Sequence, residues 1–115
     1  MPENNWVVYL VRCSDNSLYC GVTNDVHRRL QAHNSGRGAR YTRSRRPVEL
    51  ICVSPEISKG AALRLEYRIK KVPADQKIIE LNQARRELRA RRDIRDMRLD
   101  INRIVKLIDK LVKEI

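Results

Sequence analysis

Apolar residues form two short runs near the start of the chain, separated by a polar tetrapeptide. The first run covers residues 6–13 and is rich in valine, and the second covers residues 18–22. Between them the sequence reads Ser-Asp-Asn-Ser, a composition typical of a turn. This pattern predicts a β-hairpin. A third apolar run over residues 48–54 predicts one further strand.

Two helices are indicated by apolar residues that recur at helical spacing. Val26, Leu30 and His33 follow candidate N-cap residues at positions 23–25, which predicts a helix over residues 24–34. Ser58 can cap a second helix. The apolar face of that helix is formed by Ala62, Leu65, Ile69 and Val72. Together these elements predict an α+β fold, with a small, mostly antiparallel three-stranded sheet flanked by helices.

From residue 74 onward the chain has no glycine or proline, which predicts one long helix or two abutting helices. An apolar stripe with alternating spacings of three and four, typical of a coiled coil, is formed by Ile94, Met97, Ile101, Ile104, Ile108, Leu111 and Ile115. We therefore expect a domain over residues 1–83 and a basic helical extension over residues 84–115. The stripe either forms a homodimer through Ile94–Ile115 or packs on its own domain; we favour self-association.

Charge and length narrow the class of protein. The chain has 115 residues, enough for one domain with an appended element, and a formal net charge of +11. Such a charge favours a polyanionic partner, nucleic acid first and an anionic membrane surface second. No signal-peptide pattern and no long apolar run is present, so we expect a cytoplasmic protein without membrane segments. Cys13, Cys20 and Cys52 match no zinc spacing and are expected to be reduced and buried.

Residues 35–47 combine arginine with tyrosine and contain no acidic residue. The arginines are Arg37, Arg40, Arg43, Arg45 and Arg46. This composition predicts an exposed basic loop that holds phosphates. Tyr41 lies among the arginines and is expected to stack on an unpaired base. Lys70 and Lys71 are further candidates for the same nucleic-acid surface.

Several of these features, in this order, resemble the GIY-YIG endonuclease family, in its small single-domain YhbQ-like branch. The resemblance covers about residues 6–81. Val7-Val8-Tyr9 corresponds to the first triplet of the family and Tyr19-Cys20-Gly21 to the second. The remaining matches are Arg29, His33 and Glu66.

The resemblance implies a role for each matched residue. Arg29 corresponds to the catalytic arginine and Glu66 to the metal-binding glutamate. Tyr9 is expected to act as the general base and Tyr19 to position water or phosphate, although the two roles can be exchanged. His33 is expected to relay a proton or to orient its neighbours.

The chain departs from the family pattern at three positions. Val7 replaces a glycine and Cys20 replaces an isoleucine, and both replacements suit a strand. Ile78 occupies a position where many members have asparagine. Asn82 lies one turn further on, and we do not transfer the asparagine's role to it.

The residue types agree with phosphodiester hydrolysis. A single carboxylate with several waters suits one Mg²⁺ (or Mn²⁺) ion, and the planar guanidinium of Arg29 can hold two phosphate oxygens. We therefore expect a metal-dependent DNA endonuclease that is guided by substrate structure rather than by sequence. Two alternatives remain: a nucleic-acid-binding module that keeps the fold without activity, and a basic oligomerising scaffold.

Overall fold

The computed structural model describes residues 4–114 as three strands and four helices. In chain order these elements are β1 (Val7–Arg12), β2 (Leu18–Thr23), α1 (Val26–Asn34), α2 (Arg40–Arg43), β3 (Glu49–Val53), α3 (Lys59–Lys71) and α4 (Ala74–Lys113). The strand order is β2-β1-β3 and both pairings are antiparallel. The predicted fold class is therefore confirmed.

The central strand β1 is covered on both faces. Its side chains alternate, so Tyr9 and Val11 lie on one face, where Val26 and Leu30 of α1 pack against them. Leu10 lies on the opposite face, and α3 packs against β1 and β2. Because β2 is an edge strand, side chains from either face of the sheet can meet around its free edge.

Both predicted helix caps are present. The Asp25 carboxylate accepts a hydrogen bond from the backbone N–H of Arg28 at the start of α1. The Ser58 hydroxyl accepts one from the N–H of Ala61 at the start of α3. These bonds satisfy N–H groups that the helices themselves leave unpaired.

Residues 35–47, here called the basic segment, differ from the exposed loop that their composition predicts. Residues 40–43 form a short helix, and Thr42 within it is completely buried. Three arginines donate to carbonyl oxygens of the segment's own backbone: Arg43 to Gly38, Arg45 to Tyr41 and Arg46 to Arg43. The guanidinium groups thus stabilise the segment's fold by binding its carbonyl oxygens.

The C-terminal region is one helix, and the chain divides into a unit that ends at Arg85 and a second that begins at Arg86. Six side chains of the apolar stripe are described, and all are between 51% and 63% exposed: Ile94, Met97, Ile101, Ile104, Ile108 and Leu111. Ile115 lies outside the described residues. Self-association through this stripe stays a prediction.

Two further features of the structure concern its cysteines and the apolar length of its helices. Cys13, Cys20 and Cys52 are free and buried, as predicted. Over residues 4–114, no helix is long and apolar enough to cross a membrane.

Candidate active site

A buried hydrogen-bonded cluster joins three of the predicted site residues. The Tyr9 hydroxyl lies 2.8 Å from Nε2 of His33, and Nε of Arg29 donates to the same hydroxyl at 3.3 Å. Tyr9 is 1% exposed and His33 is fully buried. The sequence separations are 24 and 20 residues, so only the tertiary fold brings these groups together.

The sheet and α1 position this cluster. Tyr9 lies directly opposite Gly21 of β2, and a Cβ atom at Gly21 would collide with the Tyr9 hydroxyl. Glycine at this position therefore leaves the space that the phenol occupies. Arg29 and His33 are one turn apart on α1, which places both side chains on the side that faces the sheet.

Aromatic rings continue from this cluster toward the basic segment. The Tyr19 ring lies 5.4 Å from His33 in an edge-on arrangement and 6.0 Å from Tyr41 in a stacked one, measured between centroids. The guanidinium of Arg45 lies 4.0 Å from the centroid of Tyr41 and pairs with Asp15 at 3.0 Å. The ring of Tyr41 thus already has two stacking partners, and the residue is 39% exposed. Base stacking by Tyr41 stays a prediction.

Burial and the Arg29 charge set the protonation states in the cluster. Burial raises the pKa of Tyr9 above its usual value, although the hydrogen bond and charge of Arg29 act to lower it. Burial, with a smaller contribution from Arg29, lowers the pKa of His33. Hydrogen bonding to Tyr9 raises the pKa of Arg29. At neutral pH the cluster therefore holds a neutral phenol, a neutral imidazole and a charged guanidinium.

Glu66 approaches from the opposite face of the sheet. It lies on α3, its side chain is 20% exposed, and its carboxylate is 3.5 Å from Nζ of Lys70. Burial raises the pKa of the Cys20 thiol to about 12, with a smaller contribution from the Glu66 charge, which indicates that Glu66 lies near this strand. Within residues 4–114, no hydrogen bond or ion pair joins Glu66 to Tyr9 or Arg29.

A groove at the edge of β2 connects the two faces. Its volume is about 170 Å³. It is lined by Leu18, Tyr19, Cys20, Tyr41, Lys70 and Lys77. Tyr19 extends it toward the tyrosine–histidine cluster, and Lys70 extends it toward Glu66. The structure thus brings Tyr9, Tyr19, Arg29 and His33 together directly, whereas Glu66 lies beside the groove-lining residue Lys70.

The donor set around Glu66 fits a hydrated cation rather than an all-protein metal cage. In the described part of the chain, no group of three or more His, Cys, Asp or Glu side chains is arranged to hold a metal ion. Glu66 is a single, partly exposed oxygen donor. Magnesium is suited to such a position, because it keeps several waters and takes further ligands from substrate phosphates.

The remaining predicted nucleic-acid-binding residues are the arginines of the basic segment and Lys71. Arg37, Arg40, Arg43 and Arg46 are exposed, and Arg45 is half-buried. Lys71 lies 4.2 Å above the ring of Tyr67, so its ammonium is directed toward that exposed ring. Asn82, to which we transferred no role, accepts hydrogen bonds from the Cys52 thiol and from Arg85.

Comparison with known proteins identifies the family of this arrangement. The model of the GIY-YIG catalytic domain matches residues 5–78, which contain all five residues of the candidate active site. The chain belongs to the GIY-YIG family. The GIY-YIG residues therefore account for most of the first unit, and the match ends inside α4.

The chain is also similar to bacterial proteins of the UPF0213 group. A UPF0213 protein from Nitratidesulfovibrio vulgaris is 58% identical over 73 residues, which cover 64% of this chain and 66% of the relative. The UPF0213 protein YazA of Bacillus subtilis is 45% identical over 85 residues, covering 74% of this chain and 86% of the relative. The solution NMR structure of the UPF0213 protein BH0048 from Bacillus halodurans is 40% identical, covers 68% of this chain and 83% of that chain, and has a TM-score of 0.43.

Two structural features of this GIY-YIG domain were not predicted from the sequence: the contact of Thr42 with His33 and a depression beside α1. Thr42 contacts Nδ1 of His33, but a threonine among arginines gives no sign of burial. An open depression of about 470 Å³ is lined by Thr23, Asn24, Asp25, Arg28, Arg29 and Ala32. Two adjacent arginines at the start of a helix, Arg28 and Arg29, were the available signal for this depression.

Proposed function

We propose that this chain is a metal-dependent endonuclease that hydrolyses phosphodiester bonds in DNA, guided by substrate structure rather than by base sequence. The observation that carries the proposal is the buried Tyr9–His33–Arg29 cluster inside a matched GIY-YIG catalytic domain. A phenol with a neutral imidazole at 2.8 Å has a partner that can take its proton.

The proton path follows from these contacts. Water loses a proton to the Tyr9 oxygen as its own oxygen forms a bond to phosphorus, and the Tyr9 proton passes to Nε2 of His33. The bond from phosphorus to the leaving oxygen breaks, that oxygen takes a proton from solvent, and His33 returns its proton to solvent. Arg29 is charged and adjacent, and it stabilises negative charge on the phenol oxygen and on the phosphate.

Glu66 is the residue that we propose to hold one Mg²⁺ or Mn²⁺ ion. When bound, that ion supplies positive charge beside the phosphate and the leaving oxygen. The Glu66 carboxylate pairs with Lys70 at 3.5 Å. If the carboxylate held the cation, Lys70 would be available to contact substrate phosphate.

The basic segment is proposed to hold the nucleic-acid backbone. Arg40 is exposed and makes no hydrogen bond with another described residue, so its guanidinium is available to a phosphate. Arg37 and Arg43 are exposed as well, and Tyr41 and Tyr19 supply an aromatic surface beside them. Contacts of this kind position a backbone but read no base sequence, which supports recognition of substrate structure.

The exposed stripe on α4 is proposed to form a homodimer. A single helix whose apolar side chains are more than half exposed needs a partner to remove them from water. Isoleucine at positions 94, 101 and 108 is compatible with a two-stranded parallel coiled coil. Sedimentation of the full chain should give a dimer, and Ile101→Asp/Ile108→Asp should convert it to a folded monomer; a wild-type monomer would refute the proposal.

Cleavage assays separate this function from that of a non-catalytic binding module. A panel of branched, flapped, nicked and plain duplex DNA, with RNA as a comparison, should be incubated with Mg²⁺ or Mn²⁺. We expect cleavage that a chelator stops and that Tyr9→Phe abolishes. Binding without metal-dependent cleavage of any substrate in the panel would favour the alternative.

A further inference from the structure

We propose that Thr42 is a positioning residue that fixes the tautomer of His33, placing the ring proton on Nδ1 and leaving Nε2 as the acceptor for the Tyr9 proton. This inference rests on the proposed function for its catalytic consequence. The tautomer itself follows from hydrogen bonds within the free protein. Thr42 has no role in the family resemblance and lies in the segment that was expected to be an exposed loop.

The hydrogen bonds of the Thr42 hydroxyl indicate which ring nitrogen of His33 carries the proton. Its hydroxyl oxygen lies 2.8 Å from Nδ1 of His33 and 2.9 Å from the carbonyl oxygen of Ala39. A hydroxyl has one hydrogen, and a carbonyl oxygen can only accept. With that hydrogen donated to Ala39, the Thr42 oxygen accepts from Nδ1, which must carry the proton.

The contacts of Nε2, on the other side of the His33 ring, indicate the same tautomer. The Tyr9 oxygen accepts a hydrogen bond from Arg29, and its own O–H must donate elsewhere because Tyr9 is buried. Among residues 4–114, the acceptor within reach is Nε2 of His33 at 2.8 Å. The opposite tautomer would aim two donors at the Tyr9 oxygen and leave the phenol proton without a partner, which is costly in a buried site.

The space around Nδ1 of His33 is filled by the basic segment. A Cβ atom at Gly38 would collide with Nδ1 of His33 and with its Cα atom, so the backbone of the basic segment lies directly against this side of the ring. Thr42 and His33 are both fully buried. Thr42 is therefore the partner that the described structure offers to Nδ1.

The chemical consequence concerns one proton. In the assigned tautomer, the Tyr9 O–H bond breaks, its proton bonds to the lone pair of Nε2, and the resulting imidazolium keeps its Nδ1–H bond to Thr42. In the other tautomer Nε2 already carries hydrogen and has no lone pair to accept. The groups that face His33 are Tyr9, Tyr19, Arg29 and Thr42, and among them Thr42 is the acceptor for Nδ1–H.

The test combines an NMR measurement with kinetics. Long-range ¹H–¹⁵N correlations on the full chain distinguish protonated from unprotonated ring nitrogens, and His27→Gln removes the signals of the other histidine. We expect Nδ1–H in the wild type. In Thr42→Val, which keeps the shape but lacks the acceptor, we expect a shift toward Nε2–H and a fall in kcat of about 10²-fold with little change in KM. Thr42→Ser keeps the hydroxyl and should recover most of the rate.

These measurements distinguish a failure of the tautomer assignment from a failure of the nuclease proposal. An Nε2–H tautomer in the wild type, or a folded Thr42→Val chain with wild-type tautomer and rate, would overturn the assignment while leaving the nuclease proposal intact. An Nδ1–H tautomer in a chain that cleaves nothing would refute the nuclease proposal and leave the assignment standing. If Thr42→Val does not fold, the wild-type spectrum and Thr42→Ser still decide the tautomer.

Discussion

Replacement of Arg29 by alanine is the substitution whose effect can be worked out most fully from the structure. A guanidinium has five N–H donors, and that of Arg29 donates to the Tyr9 hydroxyl from Nε at 3.3 Å and also interacts with Tyr19, which leaves further N–H groups for a phosphate. Removing one pre-positioned donor of this kind costs about 3–4 kcal/mol in the transition state, or roughly 10²- to 10³-fold in kcat. The Nε contact is longer than a strong charge-assisted bond, so we expect the lower end of that range.

Two effects on protonation should accompany the lost rate. Arg29 contributes to lowering the pKa of His33, so the pKa of His33 should rise in Arg29→Ala. Arg29 also lowers the pKa of Tyr9 and so opposes the increase that burial causes. In Arg29→Ala the pKa of Tyr9 should therefore rise further. Titration of the His33 ring by NMR measures the first effect in the absence of substrate, which makes it independent of any cleavage assay.

Arg28→Ala is the matched control. Arg28 is the neighbouring arginine on α1, and it is exposed and lines the same open depression. Single-turnover cleavage should show a large loss for Arg29→Ala and a small one for Arg28→Ala. A folded Arg29→Ala chain with near wild-type kcat and an unchanged His33 titration would refute the placement of Arg29 in the cluster.

Three further predictions concern the metal, the basic segment and pH. Glu66→Gln should abolish cleavage and leave DNA binding nearly unchanged, because the amide lacks the charge that holds the cation; Glu49→Gln on β3 is the control, and equal cleavage by both variants would argue against the metal assignment. Replacing Arg40 and Arg43 by glutamine should weaken binding to all sequences alike and flatten its salt dependence in titrations, whereas an unchanged slope would mean that neither contacts phosphate. The value of kcat/KM should rise with pH as His33 loses its proton, with a midpoint below the ordinary histidine value of about 6.5, since burial disfavours the charged ring; a midpoint above 7 would contradict this.

The elements that sequence alone predicted were those with local signals. The hairpin follows from two apolar runs around a polar turn, and α1 and α3 follow from Asp25 and Ser58 as caps and from apolar residues at helical spacing. The pairing of Tyr9 with Arg29 and His33 was expected only through the family resemblance. No local pattern shows that a strand residue and a helix residue 24 positions apart share a hydrogen bond.

The basic segment shows where such reasoning fails. Five arginines without an acid suggest a solvated loop, but Thr42 is buried because His33 and the Ala39 carbonyl satisfy its hydroxyl. Glu66 presents a different difficulty. Its helix lies across the sheet from Tyr9, and the groove at the edge of β2 is lined by neither of these two residues. Strand order is a tertiary property that residue spacing does not reveal.

The pKa of Tyr9 bears on its proposed role as the base. Burial outweighs the hydrogen bond and the charge of Arg29 and raises that pKa. A proton acceptor for the phenol is therefore required, and His33 at 2.8 Å is the group that meets this requirement.

The most direct test of the central claim is single-turnover cleavage of a flapped or nicked DNA duplex by the full chain, with Tyr9→Phe and Tyr19→Phe measured beside it. We predict cleavage that requires Mg²⁺ or Mn²⁺, a loss of about 10²-fold or more in Tyr9→Phe, and a smaller loss in Tyr19→Phe. Retained cleavage in Tyr9→Phe would contradict the assignment of Tyr9 as the base. Absence of metal-dependent cleavage by the folded wild-type chain, on these and the other substrates of the panel, would contradict the account as a whole.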